Sequence, residues 1–135
     1  MSGAGWTLQQ ALVNAVAMDA AVLTHQAGVY DFVPDTAAMP YVRVGVGTVR
    51  PWSSKTFDGA EYTARIDVWT ESYSREPVLE LTESIRHTLE NTVLNVTGSQ
   101  VVETLYEFGD ILPDPDGTAL HGVLRFRLRV RFTAS

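Results

Sequence analysis

Cysteine is absent from the 135 residues, which removes disulfides, thiolate metal centres and thiol nucleophiles together. That suits a reducing compartment. Long apolar runs are missing as well. The longest, Ala11 to Leu23, is interrupted by Asn14 and Asp19 and is too short to cross a bilayer. The first residues carry neither a basic stretch nor a cleavage pattern, so no signal peptide or anchor is expected, and the chain reads as cytosolic when made. Positive charge is scarce: ten Lys and Arg stand against sixteen Asp and Glu, a formal net charge of -6. A general nucleic-acid binder is normally basic, so that class is disfavoured.

Catalytic and cofactor motifs are lacking too. His25, His87 and His121 form no H-x-x-x-H or H-E-x-x-H pair, the spacing that sets two imidazoles on one helical face for zinc. His121 follows Asp110, Asp114 and Asp116, a set open to a metal or acid–base role, although such aspartates more often cap turn amides. The D-P-D-G run at 114–117 lacks the remaining ligands of a calcium loop. Gly45-Val46-Gly47 lacks the third glycine and the lysine of a phosphate loop. No G-x-S-x-G elbow exists. The expectation is a protein that is not an enzyme and holds no cofactor or metal.

What is present is a globular composition, 45% hydrophobic and 19% charged, of a length that fits one domain, residues 1–135. Its most ordered pattern is Val123 to Phe132. Leu124, Phe126, Leu128, Val130 and Phe132 alternate with Arg125, Arg127, Arg129 and Arg131. On a strand, period-two alternation separates one apolar face from one face of four guanidinium groups. The rest of the chain then holds six basic against sixteen acidic groups, a formal -10. Two readings stand: a cationic strip that meets copies of the same protein or a charged neighbour, or an outer strand face kept charged against edge-to-edge aggregation.

The other elements follow from periodicity and punctuation. Thr7-Leu8-Gln9-Gln10 has capping-box spacing, and Leu8, Ala11, Leu12, Ala15 and Val16 then share a helical face. Asp19 breaks this helix or caps a second one carrying Val22 and Leu23, and Gly28 closes the helical region as a left-handed residue. Val29 to Pro34 is a short extended piece. Tyr41 to Arg50 alternates as a strand, with Gly45 and Gly47 marking a bulge or a close approach on one face. The connection from Pro51 to Gly59 exceeds a tight hairpin and holds Trp52, Lys55 and Phe57, which fold onto their own domain or grip a partner. A second strand spans Ala60 to Thr70, with Trp69 on its polar face. Ser72 to Arg75 is a turn, and a helix capped at Ser74 runs to about Asn91, burying Val78, Leu81, Ile85 and Leu89. Gln100 to Phe108 has apolar residues on both faces, which predicts an interior strand. Pro113-Asp114-Pro115-Asp116-Gly117 turns the chain into the arginine strand. The predicted fold is α+β, a four-stranded mainly antiparallel sheet with two main helices on one face, in the order α-β-β-α-β-β.

Three segments, in this order, carry a resemblance: Val29-Tyr30-Asp31-Phe32-Val33-Pro34 with Met39-Pro40-Tyr41-Val42; Trp52, Lys55 and Asp58-Gly59 leading to Ile66-Asp67-Val68-Trp69; and Asp114-Pro115-Asp116-Gly117 with His121 to Arg127. Together they resemble the tail-completion, or tail-terminator, family of long-tailed bacteriophages and phage-derived gene transfer agents. The resemblance implies a structural protein of a phage-like particle, assembled in the host bacterial cytoplasm. It implies a ring, usually a hexamer, at the head-proximal end of the tail tube. Such a ring stops tube polymerisation and docks onto the head connector, with DNA passing through its lumen. The implied partners are its own copies, the tail tube protein and a connector or stopper protein. Within this chain the arginine strand facing an acidic helix or strand could form the seam, or the arginines could face the lumen. Trp52, Lys55, Phe57 and Trp69 are further contact candidates. A connector stopper, a tube subunit or a small monomeric binding module remain the competing readings.

Overall fold

The computed structural model describes residues 3–71, 73–115 and 117–133. Eight elements follow in the order α1 (Gly5–Ala17), α2 (Ala20–Thr24), β1 (Gly28–Tyr30), β2 (Tyr41–Pro51), β3 (Asp58–Glu71), α3 (Glu76–Asn91), β4 (Ser99–Pro113) and β5 (Ala119–Phe132). The strands form one mixed sheet of order β1-β2-β3-β5-β4. The two hairpins, β2–β3 and β4–β5, meet through antiparallel pairing of β3 with β5. The α+β class is as expected, but the sheet has five strands. The addition is β1, paired parallel to β2 through Gly28–Tyr41, Val29–Val42 and Tyr30–Arg43.

The core lies between one sheet face and the helices. Leu8, Leu12 and Val16 of α1 and Val78, Leu81, Ile85 and Leu89 of α3 pack onto Val42, Val44, Ile66, Val68, Phe126 and Leu128. Gly122 permits the close approach of α3, since a Cβ there would meet Thr82 Cγ2 at 2.7 Å and Val78 Cγ2 at 3.0 Å. Asp19 is buried at the N-cap of α2, accepting from the Ala21 and Val22 amides at 3.0 and 3.2 Å. It also accepts from the hydroxyls of Ser84 and Thr88 on α3, so one carboxylate caps one helix and ties it to another.

Several local expectations fail for identifiable reasons. No capping box forms at Thr7: α1 begins at Gly5, and the Thr7 hydroxyl donates to the Ala4 carbonyl. The Ala4 amide instead donates to the Tyr62 hydroxyl at 3.0 Å, so a sheet residue anchors this end. The left-handed residue after α2 is Gln26, φ 54°, whereas Gly28 already belongs to β1. α3 starts at Glu76 with Arg75 as its N-cap, while the Ser74 hydroxyl accepts from the Glu76 amide. β4 is an edge strand, not an interior one, and Val102, Leu105, Phe108 and Leu112 on it are exposed. β5, in contrast, lies inside the sheet, which sets aside the edge-protection reading of its arginines. Of the two expected turns, Ser72 and Asp116 lie outside the described residues; Gly117 takes φ 75°, as a turn glycine does.

Candidate interaction surface

All three helices pack on one side, so the other sheet face is open. Alternation places every second residue of β2, β3 and β5 there, and strand register arranges these residues in rows. One row is Tyr41, Trp69, His121 and Leu112; the next is Arg43, Asp67, Val123 and Asp110. Then follow Gly45, Arg65, Arg125 and Phe108, and beyond them Arg50, Glu61, Arg129 and Glu103.

The arginine strand runs through these rows as half of a cross-strand ladder. Arg127 donates to Glu107 at 2.6 Å and stands 3.6 Å from Glu61. Arg129 donates to Glu61 at 3.1 Å and to Glu103 at 3.3 Å. Arg125 is held more loosely, 3.6 Å from Glu107. Hydrogen bonding and charge from Glu107 raise the pKa of Arg127, with Glu61 adding to the effect. Arg131 forms no ion pair among the described residues and lies over the Phe57 ring at 5.6 Å. The four arginines are therefore not one free cationic strip. The glutamates of β3 and β4 answer two of them fully, because the acidic residues on those strands share the period of the arginines.

The β2–β3 connection folds back toward this ladder. Trp52 and Phe57 pack together with ring centroids 4.9 Å apart, and Arg129 lies over Trp52 at 5.8 Å. Both rings stay half-buried, while Lys55 is exposed at the loop tip without an ion pair among the described residues. Trp69 stacks on His121 at 4.4 Å and on Tyr41 at 5.1 Å, with Arg43 over its ring at 5.5 Å. It sits within the open face, not at a sheet edge.

Sequence reasoning named Asp67 only within a segment that carries the resemblance, yet it is the hub of the open face. Only 1% exposed, it accepts from Arg43 at 3.0 Å, Arg65 at 3.0 Å and His121 at 2.7 Å. A carboxylate can only accept, so Nε2 of His121 carries the proton. Burial by itself would push the Asp67 pKa up, but hydrogen bonds from His121, Arg65 and Arg43 outweigh it and hold the carboxyl below its ordinary range. His121 is thus committed to Asp67, and no group of His, Asp and Glu suited to a metal occurs among the described residues.

Gln9 is the second residue that sequence reasoning missed. Buried beside the outer edge of β2, its carboxamide donates to the Val44 carbonyl at 2.7 Å and accepts from the Val46 amide at 2.9 Å. It takes the place a neighbouring strand would hold where β1 has ended. An apolar helix face that includes a glutamine is the one sequence signal for this role.

Shallow depressions, a charge-matched ladder and aromatic rings lie together on one open face. The family model described as "Tail completion protein gp17" matches residues 10–131. No curated protein matches the chain. Among solved structures, a chain of the "Virion of native gene transfer agent (GTA) particle" superposes with a TM-score of 0.86 at 22% identity, covering 97% of this chain and 99% of that one. The bacteriophage SPP1 gp17 protein gives 0.62 at 19% identity, covering 98% and 94%. At these identities the likeness is one of fold.

Proposed function

Starting from the membership of this chain in the tail completion protein gp17 family, we propose that it is a structural tail terminator of a phage or gene-transfer-agent particle. Six copies form a ring at the head-proximal end of the tail tube. The ring stops tube polymerisation and joins the tail to the head connector, and DNA passes through its lumen. The observation that carries this reading is the family match over residues 10–131. The open sheet face supports it: an uncovered face bearing exposed Leu105, Phe108 and Leu112 beside arginines suits repeated contact between subunits.

A ring needs a heterologous contact, one surface meeting a different one, with a rotation that closes. The acidic strand once available as a counterpart, β4, already uses Glu103 and Glu107 within the chain. The acidic helix remains. Lys55, Trp52 and Phe57 at the loop end of the sheet are the proposed contact to the tube or connector, where half-buried rings serve as anchors.

Light scattering at low and moderate salt, with co-sedimentation on purified tail tubes, tests the proposal. A discrete ring of several subunits, or saturable binding at the tube end, is the expected result. A protein that stays monomeric and binds no tube end overturns it.

A further inference from the structure

The open face contains a depression of roughly 250 Å³ over the middle of the sheet, floored by Gly45, Gly47 and Thr63 and walled by Arg65, Arg125 and Phe108. Two features of it point beyond the subunit. The first is glycine. A Cβ at Gly45 would come no closer than 3.9 Å to the Arg65 carbonyl oxygen, and one at Gly47 no closer than 3.8 Å to that of Thr63. Neither glycine has a positive φ. The subunit therefore accepts larger residues at both positions, and glycine in a strand weakens it. What the glycines preserve is an open floor for something that comes close.

The second is charge. Arg65 and Arg125 are direct cross-strand partners, an arrangement of like charges that disfavours the sheet. Each has a carboxylate to one side, Asp67 at 3.0 Å and Glu107 at 3.6 Å, and each side chain is about half exposed (54% and 48%). Their half-exposed guanidinium groups can also meet an anion from outside. An incoming strand is not the occupant at this edge, because Gln9 already satisfies the Val44 carbonyl and Val46 amide. The visitor must present side chains.

We infer that this depression receives the outer face of α3 from a second copy of the chain, with Glu76 and Glu83 of that helix meeting Arg65 and Arg125. Both glutamates are exposed and without an ion pair among the described residues, and they lie on one helical stripe with exposed Leu79, which would face Phe108. Charge complementarity selects this occupant: α3 carries Glu76, Glu80, Glu83 and Glu90 against Arg86. Front-to-back packing of helix layer on sheet layer is heterologous, as a ring requires. The inference rests on the ring reading and names its seam.

The test uses Gly45→Val, Arg125→Glu, Glu83→Arg and the double variant Arg125→Glu/Glu83→Arg, each checked for folding by circular dichroism and thermal melting. Assembly is followed in solution and on tail tubes. The expected result is that Gly45→Val melts at or above the wild-type temperature but assembles at least tenfold more weakly. Either charge reversal alone should do the same, and the double variant should recover most of the loss. If wild type assembles and folded Gly45→Val assembles equally well, the seam is wrong while the ring stands. If wild type assembles nowhere, the ring reading falls and takes the seam with it. If Arg65→Gln and Arg125→Gln leave assembly intact but abolish salt-sensitive binding of a short DNA duplex, the depression is a phosphate site and the inference is overturned.

Discussion

Asp67 and the arginine ladder separate two kinds of charge pairing at the level of single residues. The more exposed pairs, such as Arg129–Glu103, contribute little individually, so Glu103→Gln should cost under about 1 kcal/mol in urea unfolding. Asp67 is buried, and removing its charge leaves Arg43 and Arg65 facing each other without a counter-charge. Asp67→Asn should cost about 2–3 kcal/mol at pH 7. The pH dependence follows from its lowered pKa. The stabilisation is fully present above the ordinary value of 3.8 and is lost as pH falls through the lower folded value. The gap between wild type and Asp67→Asn should therefore narrow only below about pH 4, and a gap that narrowed between pH 7 and 5 would contradict this account. Arg127→Glu would set a third carboxylate beside Glu61 and Glu107, so it tests subunit stability more than assembly. Neither Asp67 nor Gln9 was legible as a key residue, because most of their partners lie far away in sequence: His121 is 54 positions from Asp67, and Val44 is 35 from Gln9.

Among the elements, legibility followed the length of the repeating pattern. β2, β3 and β5 each alternate long enough to be read, and α3 shows its buried stripe at helical spacing. β1 is three residues long, too short for alternation to declare itself, and it is held by its register with β2. β4 misled because two bulges, between Val101 and Glu103 and between Tyr106 and Phe108, turn successive residues to the same side. Apolar residues on both faces then look like burial. The arginine pattern of β5 was plain, but its neutralisation depended on which strands flank it. Close contact between elements yields a further expectation. Gly122→Ala drives a methyl group into Val78 and Thr82 of α3 and should lose about 1–3 kcal/mol, whereas Gly45→Ala should leave the melting temperature unchanged or raised. Differential scanning calorimetry of the two variants checks both, and equal losses would show that the open floor is needed for folding.

For the whole molecule, the relevant quantity is association, with stability secondary. A seam built on partly exposed arginines and glutamates is screened by salt, so self-association should weaken several-fold between about 0.05 and 0.5 M salt. Sedimentation velocity across that range measures it; an insensitive ring would mean that apolar contacts dominate. The open edge of β4 carries a different consequence, one for the protein before it finds its place. Among the described residues nothing pairs beyond this fifteen-residue strand, and a free edge invites endless addition of further strands. The two bulges interrupt that edge. Deleting Glu107 would straighten one of them, and the shortened chain should then convert on standing to thioflavin-positive fibrils while the parent stays clear.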